Sequence, residues 1–317
     1  MKIAILDDYQ KASPALACFA KLAAHQVEVF SDAVKDEARL AERLAGFDAA
    51  VLIRERTRVT RSLVEKLPAR FKLFVQTAKI GPHVDVKACQ ARGITVCDGT
   101  GGPVSTAELT WGLILAAARN IVEENLRVRQ GLWQGSVGFG LAGKKLGLIG
   151  FGRIAQRVAR YAAAFDTEVG IWGRQTTLER AQAAGLPVFD SMEKAFSGSD
   201  IVSVHLRLNP ETRGLIKYEH LSKMHPHSLF VNTSRAELVE RGALERALRE
   251  GRPGRAALDV FDDEPILAAG HPLASLPNVT ATPHIGFVER GNYEKYFGDA
   301  FDAVNAFAAG KPIRVVP

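Results

Sequence analysis

The stretch Gly150-Phe151-Gly152-Arg153-Ile154-Ala155 has the spacing G-x-G-x-x-A and decides the fold of this chain. An apolar run at residues 146–149 precedes it, and an Ala-rich helical stretch and a second apolar run at 168–172 follow. The first glycine permits a tight turn, the second lets backbone approach a pyrophosphate, and the small last residue lets helix pack on strand. Because the helix N-terminus then faces the phosphates, this stretch predicts a dinucleotide-binding domain, with Gly150, Gly152, Arg153 and Ile154 contacting the cofactor.

The position of this motif near the middle of the chain predicts two domains. A chain of 317 residues exceeds the size at which single hydrophobic cores stop growing. Before the motif, predicted strands at 2–6, 27–30, 49–53, 73–77 and 95–97 alternate with helical stretches at 15–24, 35–45, 60–66 and 86–92. After it, strands are predicted at 168–172, 187–189, 201–205, 229–232, 255–258 and 279–281. Such alternation is typical of parallel sheets covered on both faces.

We therefore predict an α/β fold with two doubly wound parallel-sheet domains, Rossmann- and flavodoxin-like, and a cleft between them. The last predicted helix, 291–309, follows the final strand and can return to the first domain. The substrate-binding domain is predicted at 1–115 plus 288–317, and the inserted dinucleotide-binding domain at 116–287. A single helix over 107–129 is expected to bridge them, followed by a glycine-rich loop at 131–143.

Composition and charge exclude several classes of function. The chain is 47% apolar and 24% charged, as in an ordinary soluble globular protein, and no apolar run is long enough to span a membrane. Its first residues predict a strand and not a signal peptide, because Asp7 and Asp8 follow at once. The three cysteines match no metal-ligand spacing, so we expect no metal and a reducing cytoplasm. The net charge of +6 is spread out, which favours small anions over nucleic acid.

Three side chains suited to acid–base chemistry follow predicted strands of the second domain: Arg235, Glu264 and His284. In an open parallel sheet, the carboxyl ends of strands point at the ligand crevice. An arginine can bind a carboxylate with two hydrogen bonds, a histidine can supply a proton as hydride reaches a carbonyl carbon, and a carboxylate can stabilise the imidazolium. Alone, each has an ordinary alternative: a surface arginine, a turn at Glu264-Pro265, or a capping or core histidine. Their joint placement predicts reduction of a 2-oxo acid.

The chain resembles the D-isomer specific 2-hydroxyacid dehydrogenase family. Segments 92–96, 150–155, 205–214, 224–235, 258–265 and 282–286 carry the resemblance, in order over nearly the whole chain. It implies a glyoxylate- or hydroxypyruvate-reductase-like NAD(P)-dependent oxidoreductase, a split substrate domain and a homodimer. It also implies that Arg235 holds the substrate, His284 is the general acid/base, Glu264 tunes it, and Asp259 meets the nicotinamide carboxamide. We further assign Thr106, His205 and Thr233 to the cofactor site.

Departures from the family pattern leave the substrate open. Aligned on Asp85, Ile80 falls where glycine is usual in the loop that binds the substrate carboxylate, beside Lys79. Lys79 resembles a lysine of phosphite dehydrogenases, or it is a solvated lysine at a strand end; we place both residues in the substrate site. Arg207 replaces a usual proline, either as a cofactor-side cation or as a surface substitution. The alternatives are therefore oxidation of a small anion such as phosphite, and a nucleotide-sensing, corepressor-like binding protein.

The end of the second strand of the dinucleotide unit favours NADP over NAD. An NAD site usually carries an acid about 20 residues past the glycines, which accepts from the ribose hydroxyls. Here the strand is followed by Gly173-Arg174-Gln175-Thr176-Thr177, with no acid. Arg174 can bind a 2′-phosphate and Thr176 can donate to it, although Arg174 could also stack on adenine in an NAD enzyme.

Overall fold

In the computed structural model, which describes residues 1–317, the chain forms two compact units. The first unit comprises Met1–Gly102 and Val288–Pro317, and the second comprises Pro103–Phe287. Each unit is an α/β structure built on one parallel sheet, as the alternating pattern predicts.

The first unit contains a five-stranded sheet in the order β2-β1-β3-β4-β5, with every pairing parallel. The strands are β1 (Lys2–Ile5), β2 (Gln26–Val29), β3 (Ala49–Leu52), β4 (Leu73–Gln76) and β5 (Thr95–Cys97). The α-helices are α1 (Glu37–Leu44), α2 (Arg61–Lys66), α3 (Val86–Ala91) and the C-terminal helix (Arg290–Ala308). Asp36, Thr60 and Asp85 begin α1, α2 and α3, because their side chains accept from first-turn N–H groups. Strands β3 and β4 are buried throughout and form the centre of this unit.

The second unit contains a six-stranded parallel sheet in the order β11-β10-β9-β8-β6-β7. Its strands are β6 (Lys145–Ile149), β7 (Glu168–Trp172), β8 (Ile201–Val204), β9 (Leu229–Asn232), β10 (Arg255–Leu258) and β11 (Val279–Ala281). Its α-helices are α4 (Val104–Ala118), α5 (Ile121–Arg129), α6 (Arg153–Ala163), α7 (Gln175–Ala183), α8 (Met192–Ser197), α9 (Tyr218–Leu221) and α10 (Ala243–Arg249). Separate hydrophobic clusters cover the two faces of the sheet, as in a doubly wound fold.

The helix predicted over 107–129 is two helices, α4 and α5. Asn120 between them has the left-handed φ of 54°, which ends the helical path. The Arg255 guanidinium donates to the Ala117 carbonyl oxygen at 2.9 Å and to the Asn120 side-chain oxygen. Both oxygens therefore have a hydrogen-bond partner outside the helix. Because α4 packs on α6, β9 and β10, it belongs to the second unit, and the boundary predicted at 115 lies instead at Gly102.

Two further elements differ from the sequence-based expectation. The strand predicted at 187–189 is only an isolated bridge between Val188 and Ile171, since Pro187 has no N–H to donate. The helix predicted at 15–24 consists of two short 3-10 helices, Ser13–Ala15 and Ala17–Leu22.

The loop predicted at 131–143 contains no helix or strand. None of the helices has the length and apolar character that crossing a membrane requires.

Candidate functional site

The predicted catalytic residues follow three strands that are neighbours in the second sheet. Arg235 comes after β9, Glu264 after β10 and His284 after β11, and the sheet order places β9, β10 and β11 side by side. Because parallel strands end at the same edge, the three segments lie along one edge of the sheet.

His284 and Glu264 form a short side-chain contact at this edge. His284 Nδ1 lies 2.6 Å from Glu264 Oε2, and both side chains are partly buried. The other carboxylate oxygen, Oε1, accepts from the Phe261 backbone N–H at 2.8 Å, so the carboxylate is held from both ends. Since a carboxylate only accepts, Nδ1 carries the proton, and Nε2 is the ring nitrogen that a substrate can reach.

The loop that carries His284 is held by Asp259, whose carboxylate is buried. Asp259 Oδ1 accepts from Thr282 Oγ1 at 2.6 Å and from the Ile285 N–H at 2.8 Å, and Oδ2 accepts from the Gly286 N–H at 2.8 Å. Burial raises the pKa of Asp259 against the lowering effect of these hydrogen bonds. His284 itself has a φ of 51°, a left-handed conformation that is costly for a residue with a side chain. The Asp259 contacts therefore fix a strained loop around the histidine.

Arg235 is presented by a turn that the side chain of Asn232 organises. Asn232 Nδ2 donates to the Arg235 carbonyl oxygen at 2.9 Å, and its Oδ1 accepts from the Ser234 N–H at 3.0 Å. The Arg235 Nη1 group donates to the Ser234 carbonyl at 2.6 Å. Sequence reasoning did not single out Asn232; its position as the last residue of a buried strand is the signal that could have found it.

The glycine turn has the geometry that a dinucleotide requires. Gly150 has a φ of 99°, and a Cβ there would lie 2.7 Å from the His205 carbonyl oxygen, so glycine is needed for this close approach. A Cβ on Gly152 would meet nothing within 4 Å, so the space beside it is open. Gly152 begins α6 with no side-chain cap, which leaves the N–H groups of Arg153 and Ile154 for an anion. These residues fit a pyrophosphate.

The other predicted cofactor residues have contacts of their own within this unit. Thr106 Oγ1 donates to the Gly286 carbonyl at 3.1 Å, which ties α4 to the histidine loop. The Thr233 hydroxyl lies 2.7 Å from that of Thr110 on α4. His205 Nε2 lies 3.0 Å from Ser203 Oγ, and desolvation lowers the pKa of His205 to about 4, so its ring is neutral near pH 7.

The segment after β7 brings Arg174 and Thr176 to the start of α7, as the sequence predicts, but a carboxylate from another segment lies beside it. Both side chains are exposed. Arg174 Nη1 lies 3.3 Å from Oε2 of Glu211, which comes from the loop after β8. The absence of an acid just after the end of β7 is therefore offset by Glu211, which is distant in sequence.

In the first unit, Lys79 and Ile80 are both bound to Asp98. Lys79 Nζ lies 2.8 Å from Asp98 Oδ1, and the Ile80 N–H donates to Oδ2 at 3.2 Å. The Asp98 side chain is almost buried, whereas that of Lys79 is exposed. The ammonium charge of Lys79 is thus balanced within the unit, which weakens the phosphite alternative that rested on it.

A polar cluster at the carboxyl edge of the first sheet was not predicted. Glu55 Oε1 lies 3.4 Å from Arg54 Nη2, and Gln76 Oε1 lies 3.3 Å from His83 Nε2. Gln76 is fully buried, and its Nε2 has no hydrogen-bond partner. Asp7, Arg54 and Ala78 follow β1, β3 and β4 at the same offset and have left-handed φ angles of 57°, 52° and 61°. Non-glycine residues in this conformation cluster at functional sites, so this edge is a candidate ligand surface.

The chain matches known proteins over most of its length. Residues 111–286 match the family model of the D-isomer specific 2-hydroxyacid dehydrogenase, NAD binding domain. A D-3-phosphoglycerate dehydrogenase of Methanocaldococcus jannaschii is 36% identical, with 82% of this chain and 49% of that protein covered. A glyoxylate reductase of Aeropyrum pernix is 38% identical, with 80% and 78% covered. A solved structure of phosphoglycerate oxidoreductase from Vibrio cholerae o395 has a TM-score of 0.95 at 45% identity, with 98% and 99% covered.

Two parallel-sheet units, one with an open glycine turn and a histidine–carboxylate pair, define the class of two-unit α/β proteins with a dinucleotide-type sheet. Within that class, the chain belongs to the D-isomer specific 2-hydroxyacid dehydrogenase family. It spans about half the length of the D-3-phosphoglycerate dehydrogenase that it matches, at 49%. The names of these relatives differ in their substrate, so family membership alone does not assign one.

Proposed function

We propose that the chain is an NAD(P)-dependent oxidoreductase that interconverts a 2-oxo acid and its D-2-hydroxy acid. The observation that carries the proposal is the 2.6 Å contact between His284 Nδ1 and Glu264 Oε2 at the edge of the dinucleotide-type sheet. A histidine whose Nδ1 is engaged by a carboxylate is oriented for proton transfer at its Nε2.

Three residues divide the work of the reaction in this proposal. A nicotinamide dinucleotide held at the glycine turn would supply the hydride to carbon 2 of the oxo acid, or accept it in the reverse direction. Arg235 binds the substrate carboxylate with its guanidinium and holds the carbonyl for attack. His284 Nε2 donates a proton to the carbonyl oxygen during reduction and removes it during oxidation, so no free alkoxide forms. Glu264, fixed by the Phe261 N–H, stabilises the protonated ring.

For the cofactor we propose NADP in preference to NAD. Gly150, Gly152, Arg153 and Ile154 would hold the pyrophosphate, and Arg174 with Thr176 would meet the 2′-phosphate. Thr106, His205, Thr233 and Asp259 complete the proposed cofactor set. The exposed guanidinium of Arg174, two residues after the end of β7, supports this preference, because a guanidinium matches phosphate geometry.

A substrate and cofactor panel tests both proposals. Glyoxylate, hydroxypyruvate and pyruvate are offered with NADPH and NADH, and D-3-phosphoglycerate, phosphite and formate are offered with NADP and NAD. We expect reduction of a 2-oxo acid to the D-hydroxy acid, faster with NADPH. Oxidation of phosphite with no 2-oxo acid reduction would overturn the reaction. Lys79→Ala tests the substrate role that the sequence predicts for Lys79. Because Asp98 already holds the ammonium, we expect less than about a threefold change in KM and therefore no direct contact between Lys79 and the substrate.

We also propose that the protein is a homodimer that uses the surface of α5 and the following loop. No residue of α5 is buried, yet Ile121, Val122 and Leu126 are apolar and about half exposed. Trp133 and Val137 in the loop are 75% and 91% exposed. An apolar surface of this extent marks an interaction site, and a two-fold dimer is the commonest assembly of like chains.

Size measurement of a matched pair of variants tests the dimer. Light scattering coupled to gel filtration should give twice the 34.4 kDa chain mass for the unaltered protein. Trp133→Glu should give the monomer mass, because a charge on this apolar surface must be desolvated on pairing. Leu267→Glu is the control, since Leu267 is equally exposed but lies elsewhere in the unit. A monomer mass for the unaltered chain would contradict the proposal.

A further inference from the structure

A carboxylate from a distant segment lies near the end of β7, where the local sequence has no acid. The next acid along the chain is Glu179, whose Oε1 accepts from Gln175 Nε2 at 3.0 Å within α7. Glu211, from the loop after β8, instead lies beside Arg174, with 3.3 Å between Oε2 and Nη1. The position at which an NAD site usually has an acid is thus occupied by an arginine paired with an acid from another segment.

The backbone that carries Glu211 is well ordered by its neighbours. The Asn209 N–H donates to Thr212 Oγ1 at 2.9 Å, and the Thr212 N–H donates to Asn209 Oδ1 at 2.9 Å. The Thr212 hydroxyl also donates to the Arg207 carbonyl at 2.7 Å. These bonds fix the turn, so Glu211 is presented at a defined place while its side chain is 75% exposed.

We propose that Glu211 is a cofactor-specificity residue that acts together with Arg174. The Glu211 carboxylate competes with a 2′-phosphate for the Arg174 guanidinium and repels it, and the same carboxylate accepts a hydrogen bond from a 2′-hydroxyl. Arg174 favours NADP and Glu211 favours NAD, so the pair sets how strongly the enzyme distinguishes them. This inference rests on the proposed function, because it assumes that a nicotinamide dinucleotide binds at the glycine turn.

The Arg174–Glu211 pair is not explained by stability. Both side chains are about three-quarters exposed, at 77% and 75%, and exposed ion pairs contribute little to folding. A phosphate that accepts from Arg174 has to displace Glu211 or lie within a few ångströms of it, where two like charges repel. The pair therefore weakens the binding of a 2′-phosphate while contributing little to the stability of the fold.

The test uses Glu211→Gln in the full chain, with binding measured by quenching of intrinsic fluorescence and by kcat/KM for each cofactor. We expect NADPH to bind tighter and NADH weaker, so that the NADPH-to-NADH ratio rises up to about fivefold. Arg174→Gln should change the ratio in the opposite direction. Glu179→Gln is the matched control, because it removes a carboxylate that lies on α7 but contacts Gln175, and it should leave the ratio unchanged.

The double variant separates the two contributions. If Glu211 acts only by occupying Arg174, Glu211→Gln should have no effect on NADPH binding once Arg174 is Gln; a remaining gain shows direct repulsion, and either result supports the proposal. An unchanged NADPH-to-NADH ratio in the single Glu211→Gln variant overturns it. If the unaltered enzyme prefers NADH but Glu211→Gln weakens NADH, the proposed NADP preference fails while the role of Glu211 stands.

Discussion

The carboxyl edges of the two sheets have the same local backbone conformation but differ in how fully their buried polar side chains are hydrogen-bonded. Both have left-handed, non-glycine residues after the strands: His284 in the second unit, and Asp7, Arg54 and Ala78 in the first. In the second unit the polar groups are closely paired, since Glu264 and Asp259 both use their two oxygens. In the first, the buried Gln76 amide keeps an unpaired Nε2. At one edge the carboxylates hold the proposed general acid in place, whereas the other edge retains an unused hydrogen-bond donor, which a ligand could engage.

The largest expected effect is on the histidine of the paired edge. His284→Gln should lower kcat by about 10²- to 10⁴-fold, the usual contribution of general acid–base catalysis, because glutamine cannot supply the proton. Fluorescence titration should show unchanged cofactor affinity, since the glycine turn is not altered. Turnover within a few-fold of the unaltered enzyme would remove His284 from the mechanism.

A stability effect should distinguish Asp259 from its exposed neighbours. Asp259→Asn places an amide donor against groups that are all donors, so at least one buried hydrogen bond is lost at about 1–3 kcal/mol of unfolding free energy. Asp263→Asn is the control, because Asp263 is exposed and pairs only with Arg241, and it should change stability by less than about 0.5 kcal/mol. Urea unfolding measures both. Equal stabilities would show that the Asp259 contacts do not hold the loop.

The pH dependence of stability should contain a contribution from His205. Its folded pKa of about 4 lies below the unfolded value of about 6.5, so the unfolded chain binds more protons between these values. His205 therefore lowers stability as pH falls from about 6.5 towards 4, by at most about 1.4 kcal/mol per pH unit. Urea unfolding of the unaltered chain and of His205→Asn at pH 7, 6 and 5 should show a smaller loss in the variant. Parallel curves would contradict the assignment.

The smallest effect is expected at Gln76 of the first unit, whose Nε2 has no hydrogen-bond partner. Gln76→Leu removes a buried polar group that lacks a partner for its Nε2, so unfolding free energy should change by less than about 1 kcal/mol. Thr77→Val is the comparison, because Thr77 Oγ1 accepts from the Arg54 N–H at 3.0 Å and its loss should cost about 1 kcal/mol. A loss above about 2 kcal/mol for Gln76→Leu would show that the amide supports the fold, and the contrast between the two edges would fail.

Much of the fold could be predicted because it depends on short-range patterns. Apolar runs and glycine spacing located all eleven strands to within one residue, from Lys2–Ile5 to Val279–Ala281, and the one surplus prediction, 187–189, is only an isolated bridge. The break at Asn120 could not be predicted, since its partner Arg255 is distant in sequence. The shift of the unit boundary from 115 to Gly102 has the same origin, because packing of α4 on β9 and β10 decides it.

The sequence by itself determined the class of fold, the dinucleotide motif and the residues proposed for catalysis. These catalytic residues could be found because each follows the end of a strand, and the ends of parallel strands share one edge of the sheet. The His284–Glu264 contact, the hold of Asp259 on the histidine loop and the meeting of Glu211 with Arg174 were decided only by the tertiary structure. Each of these contacts joins two segments that follow different strands. Hydrogen bonds and ion pairs act over about 3 Å, and no local pattern specifies which distant groups come that close.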